Sequence, residues 1–251
     1  MARYQIIFAY DGTELSGSQR QANLPTAQSE LESALRRLGW QGESILLAGR
    51  TDSGVHAAGQ VAACDLNWNH TPDELLRALN SQLPPEMAVS LVRQVRPDFH
   101  PRFDAISRCY RYSLFCQPQR DPLRERFAWR VWPAPSDELL FSAAPLLVGS
   151  HDFAAFGTPP RPAGSTQRNV LQAVWRKTDP VSWQFEVSAN AFLYRMVRRM
   201  VFLQVSVAQE KLSLENFSSA INRPGSVPVP AGLAPAHGLT LLEVNYPDDL
   251  T

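Results

Sequence analysis

Twice along this chain the same alternation recurs: short β-rich runs, short amphipathic helical patterns, and polar turn residues between them. Residues 4 to 10, YQIIFAY, alternate as a half-buried strand does and end at Asp11-Gly12. Pro25-Thr26 opens a helix whose apolar positions Leu31, Ala34, Leu35 and Leu38 recur at helical spacing before Gly39 closes it. A second strand is expected over 44–48, a polar loop over 49–54 and a partner strand over 60–66. Thr71-Pro72-Asp73-Glu74 is a capping box with proline at the first helical position, which predicts a helix through Asn80. Pro84-Pro85 breaks it, and 88–95 reads as another strand.

The second half repeats this order. Residues 109–116 are strand-like, and Ser136 caps a short helix that Pro145 kinks or ends. Aromatic and β-branched residues predict strands over 170–177 and 183–188. The longest helix is expected to start near Asn190, with Leu193, Met196, Val197, Met200 and Val201 in one apolar stripe flanked by Arg195, Arg198 and Arg199. Ser213 caps a further helix, and 239–246 closes the chain as a strand. Strands and helices mixed in two similar halves point to an α+β fold of two layered subdomains, 1–103 and 104–251. No low-complexity linker separates them, so the halves are expected to pack together.

The remaining chain-wide features narrow the class. A hydrophobic share of 44% against 19% charged residues excludes a disordered chain. No run approaches the roughly 18 consecutive apolar residues of a membrane helix, and Met1-Ala2-Arg3-Tyr4-Gln5 lacks the apolar core of a secretion signal. Cys64, Cys109 and Cys116 show no CxxC spacing, which disfavours a disulfide framework or a zinc clip. A soluble, cytoplasmic protein is expected. Its 24 bases and 24 acids cancel, yet unevenly: residues 93–130 hold nine arginines against four acids. Residues 161–199 hold six arginines and Lys177 against two acids. Only Lys177 and Lys211 are lysines, and arginine suits phosphate contact and stacking on bases. A GC-rich genome would produce the same bias, so a polyanionic partner is suggested by composition without being required by it.

There is no GxxxxGK[ST], no GxGxxG after a strand and no GxSxG elbow. His56, His70, His100, His151 and His237 lack metal-ligand spacing. A reaction without bound cofactor or metal is expected. The densest unusual segment is Ala48-Gly49-Arg50-Thr51-Asp52-Ser53-Gly54-Val55-His56-Ala57-Ala58-Gly59-Gln60. Its glycines allow backbone geometries closed to other residues. Arg50, two residues from Asp52, would keep that carboxylate ionised, as a nucleophile or base requires. Spacing alone is met more simply by a glycine-rich turn whose aspartate binds local N–H groups.

Seven ordered segments resemble the TruA family of tRNA pseudouridine synthases over nearly the whole chain. The block 48–60 is similar to that family's AGRTDxGVHAxGQ signature. Around it stand Tyr10-Asp11-Gly12-Thr13, Phe99-His100-Pro101-Arg102-Phe103-Asp104-Ala105 and Arg108-Cys109-Tyr110-Arg111-Tyr112. Gly149-Ser150-His151-Asp152-Phe153, then 191–198 (AFLYRMVR) and 234–239 (APAHGL), complete the set.

The resemblance implies a pseudouridine synthase fold, two α/β subdomains whose mainly antiparallel sheets meet at a central active-site cleft. It implies an isomerase acting on tRNA at positions 38, 39 and 40 of the anticodon stem-loop, without cofactor and on a flipped-out uridine. By motif position, Asp52 would be the nucleophile, Arg50 and Arg198 its cationic partners, and Tyr110 the ring stacked on the target base. Read without the resemblance, Tyr110 is a core strand aromatic and Arg198 one member of a solvated basic face. The resemblance further implies a homodimer gripping tRNA mainly through phosphates, with neither membrane nor DNA as partner.

The chain also departs from the family pattern. An early YxGWQxQ is here Leu15-Ser16-Gly17-Ser18-Gln19-Arg20-Gln21, with Ser18 in place of the aromatic residue. Phe202, Ala208 and Glu210 stand where the family tends to have small residues, often glycine. These departures motivate a second reading, a tRNA- or RNA-binding paralogue of the same fold without catalysis.

Overall fold

β1 (Ala2–Tyr10) buries Tyr4, Ile6, Phe8 and Tyr10, the alternation its sequence demands. The computed structural model describes residues 1–159, 161 and 163–247. Its contacts divide the chain into two units, Met1–Ile106 together with the chain from Thr240 onward, and Ser107–Leu239.

In the first unit the order is β1, α1 (Ala27–Arg37), β2 (Leu46–Leu47), β3 (His56–Leu66), α2 (Pro72–Asn80) and β4 (Met87–Val95). β1 lies antiparallel between β3 and β4, with Ile6 opposite both Ala62 and Val92. The two predicted helices form with their capping boxes, Thr26 with Ser29 and Thr71 with Glu74. Leu31, Ala34, Leu35, Leu75 and Leu79 are all fully buried, as their spacing requires.

α1 also buries a carboxylate. Glu32 accepts from Arg20 (2.8 Å), Gln28 (2.9 Å) and the Ile45 N–H (3.1 Å), which satisfies a group otherwise costly to bury. That bond takes the Ile45 N–H out of any ladder, so the strand expected over 44–48 is reduced to Leu46–Leu47.

The chain's last strand, β10 (Leu239–Asn245), runs parallel to the start of β3, with Thr240 opposite His56 and Leu241 opposite Ala57. The Ile106 N–H donates to the Asn245 carbonyl (2.8 Å) and the Tyr246 hydroxyl to the Pro101 carbonyl (2.7 Å). These contacts count the strand with the first unit. The sequence expectation instead divides the chain after 103 and assigns everything beyond to the second half; its residues 248–251 lie outside the described ones.

In the second unit β5 (Ser107–Cys116), β6 (Trp129–Val131), α3 (Asp137–Ala143), β7 (Gly149–Asp152), β8 (Gln167–Asp179), β9 (Ser182–Ala189), α4 (Met196–Ala208) and α5 (Leu214–Asn222) follow in turn. Antiparallel pairing gives the sheet order β5-β9-β8-β7, with β6 parallel on β5. Arg111 of β5 and Arg176 of β8 both bond Glu186 of β9. Burial alone would raise the Glu186 carboxyl, but the two guanidiniums hold it below its ordinary range. α4 is tied to the sheet by the Trp175 indole N–H, which donates to buried Gln204 (2.9 Å).

The long helix starts at Met196, six residues later than its apolar pattern suggests. Asn190 instead accepts the Asn169 N–H (3.0 Å), the Tyr194 N–H donates to Thr158 (3.0 Å), and Arg195 is left-handed at φ 63°. β6 and β7 carry no strand pattern of their own and exist through pairing. Both units are thus mixed α/β with mostly antiparallel pairing, the fold class the resemblance implies.

Candidate active site

Residues 49–55 form a loop feeding β3, and its backbone is held from both sides. Ser18, fully buried, donates its N–H to the Thr51 carbonyl (3.2 Å) and accepts the Thr51 N–H on its hydroxyl (2.8 Å). The Tyr10 and Thr51 hydroxyls share a 2.8 Å hydrogen bond, and Gln60 donates to the Gly49 carbonyl (3.1 Å). Burial pushes the Tyr10 phenol up, so it acts there as a neutral hydrogen-bonding group. The Gly54 N–H reaches the Leu15 carbonyl (3.3 Å), and the Val55 N–H turns back to that of Asp52 (3.2 Å), with Gly54 at φ +77°. Gly12 lets the end of β1 lie against this turn: a Cβ there would stand 2.0 Å from the Val55 oxygen.

On this frame Thr51 points inward, Arg50 is exposed and Asp52 is half-buried. A half-buried aspartate on a pinned backbone is suited to act as a nucleophile or base. The turn that spacing alone predicts is therefore present, but it is clamped by long-range partners rather than by Asp52 alone.

The other two predicted residues belong to the second unit. Tyr110 lies on β5, 9% exposed, with its ring edge-on to Phe192 at 5.1 Å. That burial also suits a strand aromatic of the core. Arg198, half-buried in the first turn of α4, donates from Nε to the Ala234 carbonyl (2.8 Å). The Tyr112 hydroxyl donates to the next carbonyl, Pro235 (2.8 Å), and a Cβ on Gly238 would meet the Tyr112 ring at 2.6 Å. Segment 234–238 is thus a strap that orients Arg198 and covers Tyr112. Burial raises the Tyr112 phenol well above its ordinary range, and nearby Arg198 pulls the other way. Arg50 and Asp52 share one loop of the first unit; Tyr110 and Arg198 are placed by the second.

Beside the start of α4 a cavity of about 310 Å³ is lined by Phe156, Gly157, Thr158, Tyr194, Arg195 and Arg199. Arg199 donates to the Gly232 carbonyl (2.8 Å) and stacks on Phe202 at 5.6 Å. Gly232 makes room for that phenyl ring, since a Cβ there would lie 2.2 Å from it. Phe202, larger than the family pattern, is accommodated in this way. Among the described residues no three His, Cys, Asp or Glu side chains group as metal ligands, and no helix is long and apolar enough to cross a membrane.

A family model described as tRNA pseudouridine synthase matches residues 6–104 and 143–247. The chain belongs to this family. Curated relatives called tRNA pseudouridine synthase A align with almost all of it. That of Chloroflexus aurantiacus is 38% identical over 257 residues, covering 100% of this chain and 91% of the relative. That of Methylacidiphilum infernorum is 38% identical, covering 98% and 96%, and that of Neisseria gonorrhoeae is 37% identical, covering 98% and 92%. Membership in the tRNA pseudouridine synthase family makes the chain an isomerase acting on tRNA uridine.

Sequence reasoning missed the clamp of Ser18, Tyr10 and Gln60 and the strap over Tyr112. Tyr10, Gln60 and 234–238 do fall inside recognised motifs, which was their available signal. Ser18 had none.

Proposed function

We propose that the chain converts uridine to pseudouridine at positions 38, 39 and 40 of the tRNA anticodon stem-loop, with Asp52 as nucleophile. The observation that carries this is the intact 48–60 block folded as a clamped loop in which Asp52 is half-buried. In the reaction the C1′–N1 bond breaks, the uracil turns, and C1′–C5 forms; C5 loses its hydrogen to solvent as a proton while N1 gains one. Asp52 adds to the nucleoside to start this sequence and leaves at its end. By motif position, Arg50 and Arg198 are assigned as the cationic partners of that carboxylate. Tyr110 stacks on the uracil once it has left the helix, which offsets part of the cost of extruding it.

Some of the arginines of 93–130 and 161–199, with Arg195 and Arg199 at the α4 cavity among them, serve the tRNA phosphates; Arg111 and Arg176 instead hold Glu186. A cytoplasmic homodimer completes the proposal. No cofactor is assigned.

The test is tritium release from tRNA labelled as [5-³H]uridine, wild type beside Asp52→Ala. Release by wild type and none by the variant is the expected result. No release from either, with tRNA still bound, would favour the RNA-binding paralogue that the departures at Ser18, Phe202, Ala208 and Glu210 motivate.

A further inference from the structure

The motif at 99–105 has no part in the chemistry above, yet it is built with care. Phe99 is fully buried and packs on Tyr246 with ring centroids 5.3 Å apart, which anchors the segment. Four residues on, Phe103 is 75% exposed. The turn between them is closed by hydrogen bonds. The N–H groups of Arg102 and Phe103 converge on His100 Nδ1 (3.1 and 3.4 Å), and the Asp104 N–H donates to the His100 carbonyl (3.0 Å). The Asp104 carboxylate accepts from the His100 N–H (2.9 Å) and from Arg96 (2.7 Å). A large apolar ring is therefore held out in water by a turn that is itself fully organised.

Its neighbours say what it is held out for. The His100 imidazole lies 4.2 Å from the Phe103 ring, tilted by 37°, and the Arg102 guanidinium lies 5.7 Å from it. An exposed aromatic beside an imidazole and a guanidinium is a surface for planar, electron-rich rings attached to a polyanion. We propose that Phe103, with His100 and Arg102, is a stacking platform for an unpaired nucleobase of the RNA substrate. This rests on the reading of the chain as acting on RNA. Stacking accepts any base, so the platform holds RNA without selecting its sequence.

The experiment measures binding of an unmodified anticodon stem-loop transcript, and tritium release from it, for wild type, Phe103→Ala, Phe103→Leu and Phe103→Trp. Exposed Phe103 tolerates all three substitutions, and thermal melts confirm their folding. Ala and Leu are expected to weaken binding about five- to a hundredfold, the range of one lost base stack, while Trp binds at least as tightly as Phe. Binding by the Leu variant equal to wild type would overturn the proposal, since apolarity without a ring would suffice. So would wild-type binding by the Ala variant. Loss of self-association in the Ala variant with RNA affinity intact would place a protein on this ring instead. Tritium release by wild type, whatever the variants do, keeps a failed platform distinct from a failed assignment of the reaction.

Discussion

Replacing Ser18 by alanine tests the clamp on the Asp52 loop most directly. The serine is fully buried, and its hydroxyl accepts the Thr51 N–H at 2.8 Å. Alanine keeps the Ser18 N–H bond to the Thr51 carbonyl but leaves the Thr51 N–H buried without an acceptor. An orphaned buried donor costs about 1–3 kcal/mol, and a chain of this size loses roughly 2–4 °C in Tm per kcal/mol. A fall of about 2–12 °C is expected by calorimetry. Ser53→Ala is the control: Ser53 is exposed and its hydroxyl donates to the Leu15 carbonyl (3.2 Å), so its removal orphans no buried donor. Under saturating tRNA the Ser18 variant should also turn over more slowly with KM little changed, because the backbone of the Asp52 loop is loosened while the arginine-rich segments are untouched. Equal melting of the two variants would refute the reasoning.

Two further outcomes follow from ionisation. The Arg3 hydrogen bond holds the Asp65 carboxyl below its ordinary range, at 2.6 Å across the β1–β3 ladder. Its stabilisation is therefore present above the unfolded pKa, about 3.9, and is lost as pH falls through the lower folded value. Asp65→Asn should flatten the acid limb of Tm against pH below about pH 4. At pH 7 it should cost less than about 1 kcal/mol, because Asp65 is 40% exposed; an unchanged acid limb would count against the pair. Burial pushes the Cys64 thiol up to about 12, so iodoacetamide at pH 8 should spare it in the folded protein and modify it once guanidinium unfolds the chain. Peptide mass mapping that found Cys64 alkylated in the native protein as fast as half-buried Cys109 would contradict its burial.

Periodicity revealed what local sequence controls. The spacing of Leu31, Ala34 and Leu35 and the boxes at Thr26 and Thr71 are written within a few residues, and those helices form where expected. The short β2 and the late start of α4 were hidden because their causes are distant. The Ile45 N–H goes to Glu32, and Asn190 bonds the backbone of β8. The candidate site divides the same way. Arg50 and Asp52 stand out in a dense motif, whereas Ser18 acquires its role only when folding brings it to Thr51, 33 residues on. Glu210 is a third case: its left-handed φ of 58° is a conformation glycine adopts freely, which explains why a small residue suits that place but not why this chain has glutamate.

The return of β10 to β3 also sets an order of manufacture. The edge of β3 nearest the Asp52 loop, at His56 and Ala57, finds its parallel partner only at Thr240 and Leu241. A ribosome adding roughly 5–20 residues per second needs on the order of ten seconds between the end of the first unit's initial run and that partner. Throughout that interval the strand beneath the Asp52 loop lacks its β10 neighbour. A nascent chain therefore carries the Asp52 loop on a strand whose parallel neighbour is still missing, while surrounded by ribosomal and transfer RNA. Completion of this sheet waits until Thr240 and Leu241 have been translated.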